Sequence, residues 1–232
     1  MSTPRWGTLA RLRPAALDAI RAATPVAYVP WGAIEWHSVH APVGLDGHAA
    51  EGFCEALAAE LGGVVFPTLY VAADTLHDHH PFPYCISHPE ATVYALCTEV
   101  LAGLAVQGWR VLVVLTGHAG QGHQDVLHAA CDAFAAAHPD VAVRMWTAFD
   151  LVADTFPANH AAQGETSVQL HLRPETVNLS AIPDGPAPTL EGEGVWGADP
   201  RGATAEEGAA TLALFVERAA AALRPLLAAA PG

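Results

Sequence analysis

Residues 110 to 123 read R-V-L-V-V-L-T-G-H-A-G-Q-G-H: a β-branched apolar run, then a glycine-rich turn, ahead of an Ala-rich stretch with helical spacing that extends from His123 to Ala137. Such a Val/Leu run bounded by a Gly turn is the mark of a buried strand, and apolar positions recurring every three or four residues mark a helix packed on it. The alternation repeats in both directions. Strands are expected at Val26 to Trp31, Val64 to Val71, Arg110 to Leu115 and Val141 to Thr147, and helices near Pro14 to Ala23, Gly47 to Leu61, Pro89 to Gln107, His123 to Ala137 and Thr204 to Leu227. This pattern predicts an α/β fold in which a mostly parallel central sheet is covered by helices on both faces, giving three layers. No repeat or linker divides the chain, so residues 1–232 are expected to form a single domain.

With 232 residues and 52% hydrophobic content, the chain can bury a full core. Against 24 acidic residues stand only 10 basic ones, a formal charge of -14, which repels nucleic acid and anionic membrane surfaces. All the basic residues are arginines, and the missing lysine excludes Schiff-base chemistry and a P-loop nucleotide hydrolase. Cys54, Cys85, Cys97 and Cys131 are scattered, with no C-x-x-C pair, and read as reduced core residues. No charged start followed by an apolar run opens the chain, and the Ala-rich tail is interrupted by charges, so a soluble cytoplasmic protein is expected.

Three segments carry residues able to do chemistry. In V-P-W-G-A-I-E-W-H-S-V-H-A-P-V-G-L-D-G-H (29–48), Glu35 and His37 stand two apart beyond a strand, and a period of two sends both side chains to one side. Asp46 follows in a Gly-flanked turn that opens a helix, where a carboxylate suits the helix dipole and can bridge two cations. By itself E-x-H…D is met outside metal sites as well. In L-T-G-H-A-G-Q-G (115–122), His118 lies at the carboxyl end of a strand, where open α/β sheets hold ligands. The alternative, a phosphate-cradling loop, is weakened because the glycines run G-x-x-G-x-G and not G-x-G-x-x-G. In N-H-A-A-Q-G-E-T-S (159–167), His160 and Glu165 precede a helix, and taken alone that segment reads equally well as a capped N-terminus.

Two loops are longer than compact domains usually allow, a sign of functional segments. One, Asp74 to His88, contains His77, His79, His80 and His88, which read as solvated; the other, Arg173 to Ala203, is rich in proline and glycine. His123, His128 and His171 fall on helices and read as surface or core residues, and Trp31, Trp36, Trp146 and Phe156 as core aromatics.

Together the three segments resemble the creatininase (creatinine amidohydrolase) family, which also includes formamide hydrolases and mycofactocin-system peptidase-like proteins. The family pattern runs close to P-x-G-x-x-E-x-H-G-x-H-L-P-x-x-T-D, then N-G-H-G-G-N after a strand, then H-A-G-x-x-E-T-S, and is matched at 30 to 46, 116 to 121 and 160 to 167. The resemblance implies a layered α/β fold, a ring-shaped homo-hexamer, and hydrolysis of a small-molecule cyclic amide, formamide or peptide-like amide. It further implies two divalent metals per chain, zinc, manganese or iron, held by Glu35, His37, Asp46 as the bridging carboxylate, His118 and Glu165, with His160 moving a proton or steadying the tetrahedral intermediate. Three carboxylates and two neutral imidazoles suit those metals, and such a centre acidifies water and polarises a carbonyl. An enzyme of the same fold catalysing cyclisation or dehydration, and a non-catalytic metal-binding scaffold, are the competing readings; five retained ligands argue against the scaffold.

The departures concern substrate. Ser38, Ala41, Leu45, Thr116, Gln121, Asn159 and Gln163 replace the usual residues, and Gly120 stands where creatininase proper has a ligand glutamate two residues after the loop histidine. His79 falls where the family often has a histidine before F-P, and Cys85 in the loop where F-P-G-T is usual, so both are candidates for the pocket wall.

Overall fold

The computed structural model describes residues 5 to 230. In chain order the elements are β1 (Trp6–Thr8), α1 (Pro14–Ala23), β2 (Val26–Gly32), α2 (Leu45–Leu61), β3 (Gly63–Val65), β4 (Leu69–Tyr70), α3 (Glu90–Val106), β5 (Val111–Thr116), α4 (Gln121–Ala137), β6 (Ala142–Thr147), α5 (Gln163–Leu172), α6 (Leu190–Glu193) and α7 (Ala205–Ala229). The strands form one sheet in the order β1-β3-β2-β5-β6, with β4 pairing to the far end of β2, and every pairing among the described strands is parallel.

A strand buried on both faces must be apolar throughout, and β2 and β5 are. Their alternate side chains serve two cores. Ala27, Val29, Trp31, Leu112 and Val114 meet α1, α3 and α4 through Ile20, Leu101, Leu104, Leu127 and Phe134. Val26, Tyr28, Val111, Val113 and Leu115 meet α2, α5 and α7 through Phe53, Leu57, Val168, Phe215 and Leu223. Phe53 and Phe215 cross edge to face at 4.7 Å, a contact that adds about 1 kcal/mol to the area they bury. The three layers expected from periodicity are present.

Two expectations change. The strand expected at Val64 to Val71 is two short pieces, because Pro67 has no N–H to give the ladder; the last bond before it runs from Phe66 N–H to Tyr28 O. The edge strand β1 was not expected, since W-G-T is too short for alternation to show. Among the described residues no helix is long and apolar enough to cross a membrane.

Topology positions the site. From β2 the chain passes to β3 on one side and later to β5 on the other, so the order reverses between β2 and β5 and leaves a crevice at their carboxyl ends. Glycines let backbones meet there. A Cβ on Gly117 would lie 2.0 Å from Asp46 O, and one on Gly32 would lie 2.3 Å from Gly47 N. The loop after β5 and the end of β2 can therefore close on the first turn of α2, which carries Asp46.

Candidate metal centre

Glu35 and His37 do not sit on a continued strand: β2 ends at Gly32, and the chain loops back through Ser38, whose φ is 58°. The loop is pinned by Glu35 N–H donating to Val43 O at 2.9 Å and Ile86 N–H donating to Ile34 O at 2.9 Å. Asp46 lies in the first turn of α2, His118 two residues beyond β5, and Glu165 in the first turn of α5. All five side chains are buried.

Each imidazole is turned by a backbone carbonyl. A carbonyl only accepts, so the ring nitrogen facing it carries the hydrogen and the other offers a lone pair. His37 Nδ1–H donates to Glu35 O at 3.1 Å, leaving Nε2 3.0 Å from Asp46 Oδ1 and 3.7 Å from Glu165 Oε2. His118 Nε2–H is shared between Ala73 O at 3.2 Å and Asp74 O at 3.1 Å, leaving Nδ1 2.9 Å from Glu35 Oε2 and 3.3 Å from Asp46 Oδ2. His160 Nε2–H donates to Trp36 O at 2.9 Å, leaving Nδ1 4.0 Å from Glu35 Oε2. Carbonyl-oriented imidazoles with the second nitrogen aimed at carboxylates are the outer-shell pattern of metal-binding histidines.

Three triplets of donor atoms lie within 4.8 Å of one another: Glu35, Asp46 and His118; His37, Asp46 and Glu165; and Glu35, His37 and His160. Asp46 belongs to the first two, the arrangement a bridging carboxylate needs. Glu35 Oε2, His37 Nε2 and Asp46 Oδ2 are buried with no hydrogen-bond partner. Polar atoms left so are costly, and a divalent cation at their convergence satisfies them, so the donor set fits a metal.

The charges point the same way. Burial disfavours every ionised group here, yet the facing imidazoles hold the Glu35 and Asp46 carboxyls below their usual range. For Glu165 burial prevails and pushes the carboxyl up to about 8. Burial would lower His37, but Asp46, Glu165 and Glu35 outweigh it and raise the ring to about 10; His118 is raised by Glu35 and Asp46. Burial and the charge on His37 bring His160 down to about 4. Without a cation the cluster neutralises itself with protons on two imidazoles, the protons a metal displaces.

The cluster floors a cavity of about 410 Å³. Its walls are Leu76, Leu190 and Trp196 on the apolar side, and Asp74, His79, Gln121 and Asn159 on the polar side. Asn159 Oδ1 accepts Glu165 N–H at 3.0 Å, and Glu165 Oε2 accepts Ala161 N–H at 2.7 Å, which fixes the start of α5. Backbone bonds join His160 and Trp196 in both directions, at 2.8 and 2.9 Å.

The five residues expected to bind metal and His160 thus come together. Sequence reasoning gave no part to His40, which is buried with Nε2 3.0 Å from Thr166 Oγ1, or to Asp74, Leu190 and Trp196. His123, read as bland, is buried with its ring 5.1 Å from that of His118. His79, from the loop read as solvated, lines the cavity, whereas Cys85 is not among the lining residues and receives Trp36 N–H at its sulfur.

Comparison with known proteins agrees with this fold. The family model Creatininase, described as creatinine amidohydrolase, matches residues 10–223. A creatinine amidohydrolase of Pseudomonas putida is 26% identical over 194 residues, 75% of each chain. Among solved structures, a creatinine amidohydrolase (creatininase) superposes with a TM-score of 0.79 at 23% identity, over 97% of this chain and 99% of that one. A second, described as creatininase Mn, gives 0.79 at 24% identity, over 95% and 98%. A family match over nearly the whole length, on a fold and donor set of this kind, establishes that the chain belongs to the creatininase family of amidohydrolases.

Proposed function

We propose that this protein is a metal-dependent hydrolase of a small cyclic amide, formamide or peptide-like amide, with two divalent ions sharing Asp46. The observation that carries the reading is the pair of overlapping donor triplets with three orphaned atoms at their junction. Glu35, Asp46 and His118 would hold one ion and His37, Asp46 and Glu165 the other. When bound, such ions supply Lewis acidity that polarises an amide carbonyl and acidifies water.

The protein's own residues prepare the rest. Trp36 O, Glu35 O and the Ala73 and Asp74 carbonyls fix three rings in one tautomer each, so their lone pairs need no reorganisation. His160 keeps Nδ1 open over Glu35 Oε2 and can take a proton there. Trp196, tied to His160 by backbone bonds, and Leu190 close the apolar side and limit water around a bound amide.

The test is metal analysis of protein purified without chelator, then a screen of lactams, formamides and small peptides. One to two divalent ions per chain, with activity abolished by chelation, is the expected result. Background metal in folded protein, with no uptake of zinc, manganese or iron(II), overturns the reading.

A further inference from the structure

Amide hydrolysis moves two protons: one leaves the attacking water, and one must reach the departing nitrogen, because an amine anion is too basic to leave. His160 is placed for the first. Its only ring hydrogen is committed to Trp36 O, and its free nitrogen faces the floor at Glu35.

Few other lining groups can deliver the second. His118 is turned into the floor, and Glu35, Asp46 and Glu165 belong to the candidate metal centre. Gln121 Nε2 donates to Asp125 Oδ1 at 2.7 Å and Asn159 Nδ2 to Pro157 O at 3.1 Å, and neither amide titrates. What remains is a pair on the polar wall. His79 Nε2 lies 2.6 Å from Asp74 Oδ1, while Asp74 Oδ2 accepts Gly122 N–H at 2.7 Å from the start of α4. Asp74 adopts a left-handed φ of 57°, unusual for a residue with a side chain, and held here by its own bonds. The His79 side chain lines the cavity and is 62% exposed, so it is open to both substrate and water.

We propose that His79 is a second catalytic residue, the acid that protonates the departing nitrogen, with Asp74 as its positioning residue. The proposal rests on the amidohydrolase reading. As the C–N bond breaks, its electron pair takes a proton from the His79 imidazolium and the amine leaves. His160 holds the proton given up by the attacking water, and the C–O bond so formed makes the carboxylic product. Solvent at the exposed His79 side chain restores its proton and removes the one on His160, so amide and water become acid and amine with nothing left over.

A leaving-group series tests this. With metal-loaded protein, 4-methoxyformanilide needs protonation of its nitrogen more than 4-nitroformanilide does. His79→Gln is expected to lower kcat by about 100-fold on the methoxy compound and by less than about 5-fold on the nitro compound, with KM, metal content and melting temperature unchanged. Asp74→Asn, which keeps an acceptor for Gly122 N–H and tolerates the left-handed backbone, should show the same bias at about 10-fold. Equal losses on both anilides, or no loss on either, overturn the proposal while leaving the hydrolase reading intact. Wild-type protein that takes up metal yet cleaves neither anilide, nor any lactam, formamide or peptide, fails the hydrolase reading and takes the proposal with it.

Discussion

The floor and the wall of the cavity are built on opposite principles. The floor is buried, its rings are fixed by main-chain carbonyls, and three of its atoms, Glu35 Oε2, His37 Nε2 and Asp46 Oδ2, are left without partners inside the protein. On the polar wall every amide and carboxylate is partnered, His79 reaches water, and Gln121 and Asn159 depart from the family pattern. An arrangement that leaves buried polar atoms unsatisfied carries a cost that a ligand relieves, whereas a satisfied wall gains nothing from one and is free to vary. On the proposed reading, floor residues set the reaction and wall residues set what fits.

The comparison breaks first at Asp46. If the floor exists to hold ions, Asp46→Ala should weaken metal binding by at least about 100-fold, beyond the usual cost of losing a supporting contact, and activity should disappear with the metal. His160→Ala should keep the metal and lose about 100-fold in kcat. Metal content and steady-state rates check both, and the reverse pattern, an empty His160→Ala and a loaded Asp46→Ala, makes the assignment wrong.

The wall is tested with creatinine. Positions 38, 41, 45, 116, 121 and 163 differ from the family pattern around a retained donor set, Gln121 among them on the cavity wall, and a site that pairs with a substrate's polar groups rejects an analogue by about four or five orders of magnitude. Metal-loaded protein is expected to hydrolyse creatinine with kcat/KM below about 10⁴ M⁻¹s⁻¹, the lower edge of ordinary efficiency, and a higher value places specificity in the floor.

A smaller effect reports the protons on the floor. In the metal-free protein His37 stays charged up to about pH 10 and Glu165 stays neutral up to about pH 8. A metal needs both deprotonated, so binding expels protons and affinity must rise with pH through this range. Between pH 6 and 8 it should climb by about tenfold or more per unit. Competition titration against a chromophoric chelator measures it, and an affinity indifferent to pH contradicts the proton-filled floor.

Much of the floor was legible because its residues follow local signals. His118 comes just after an apolar run, at the carboxyl end of a strand, and Asp46 and Glu165 fall in first turns of helices, but it was the resemblance of the three segments together that joined them into one site. Glu35 and His37 were found for a partly wrong reason, since a loop and not a strand brings them together. The wall was legible only at His79, singled out as a candidate for it, and not in its contacts. Asp74, His79 and Gly122 meet through a left-handed turn, and Trp196 meets His160 across 36 residues, relations that no period encodes. His40 lay in plain sight inside the first motif, but its contact with Thr166 depends on where α5 docks.

The smallest predicted effect joins the two regions. Gly120 has φ of -54° and ψ of 132°, a conformation open to alanine, so any cost of substitution there is one of space. A Cβ at that position would lie 2.3 Å from Asp74 O and 2.7 Å from His118 Nε2, between the carbonyl that orients the ring and the ring itself. Gly120→Ala must therefore push Asp74 outward or turn His118, moving wall and floor at once. Overpacking of this kind costs about 1–3 kcal/mol, visible as a lower melting temperature, and a turned ring should weaken metal binding by about tenfold as well. Loss of stability with metal affinity unchanged would mean that Asp74 yields while His118 holds, and that the floor is insulated from its wall; loss of both would make Gly120 the position through which a change of substrate wall must also retune the metal.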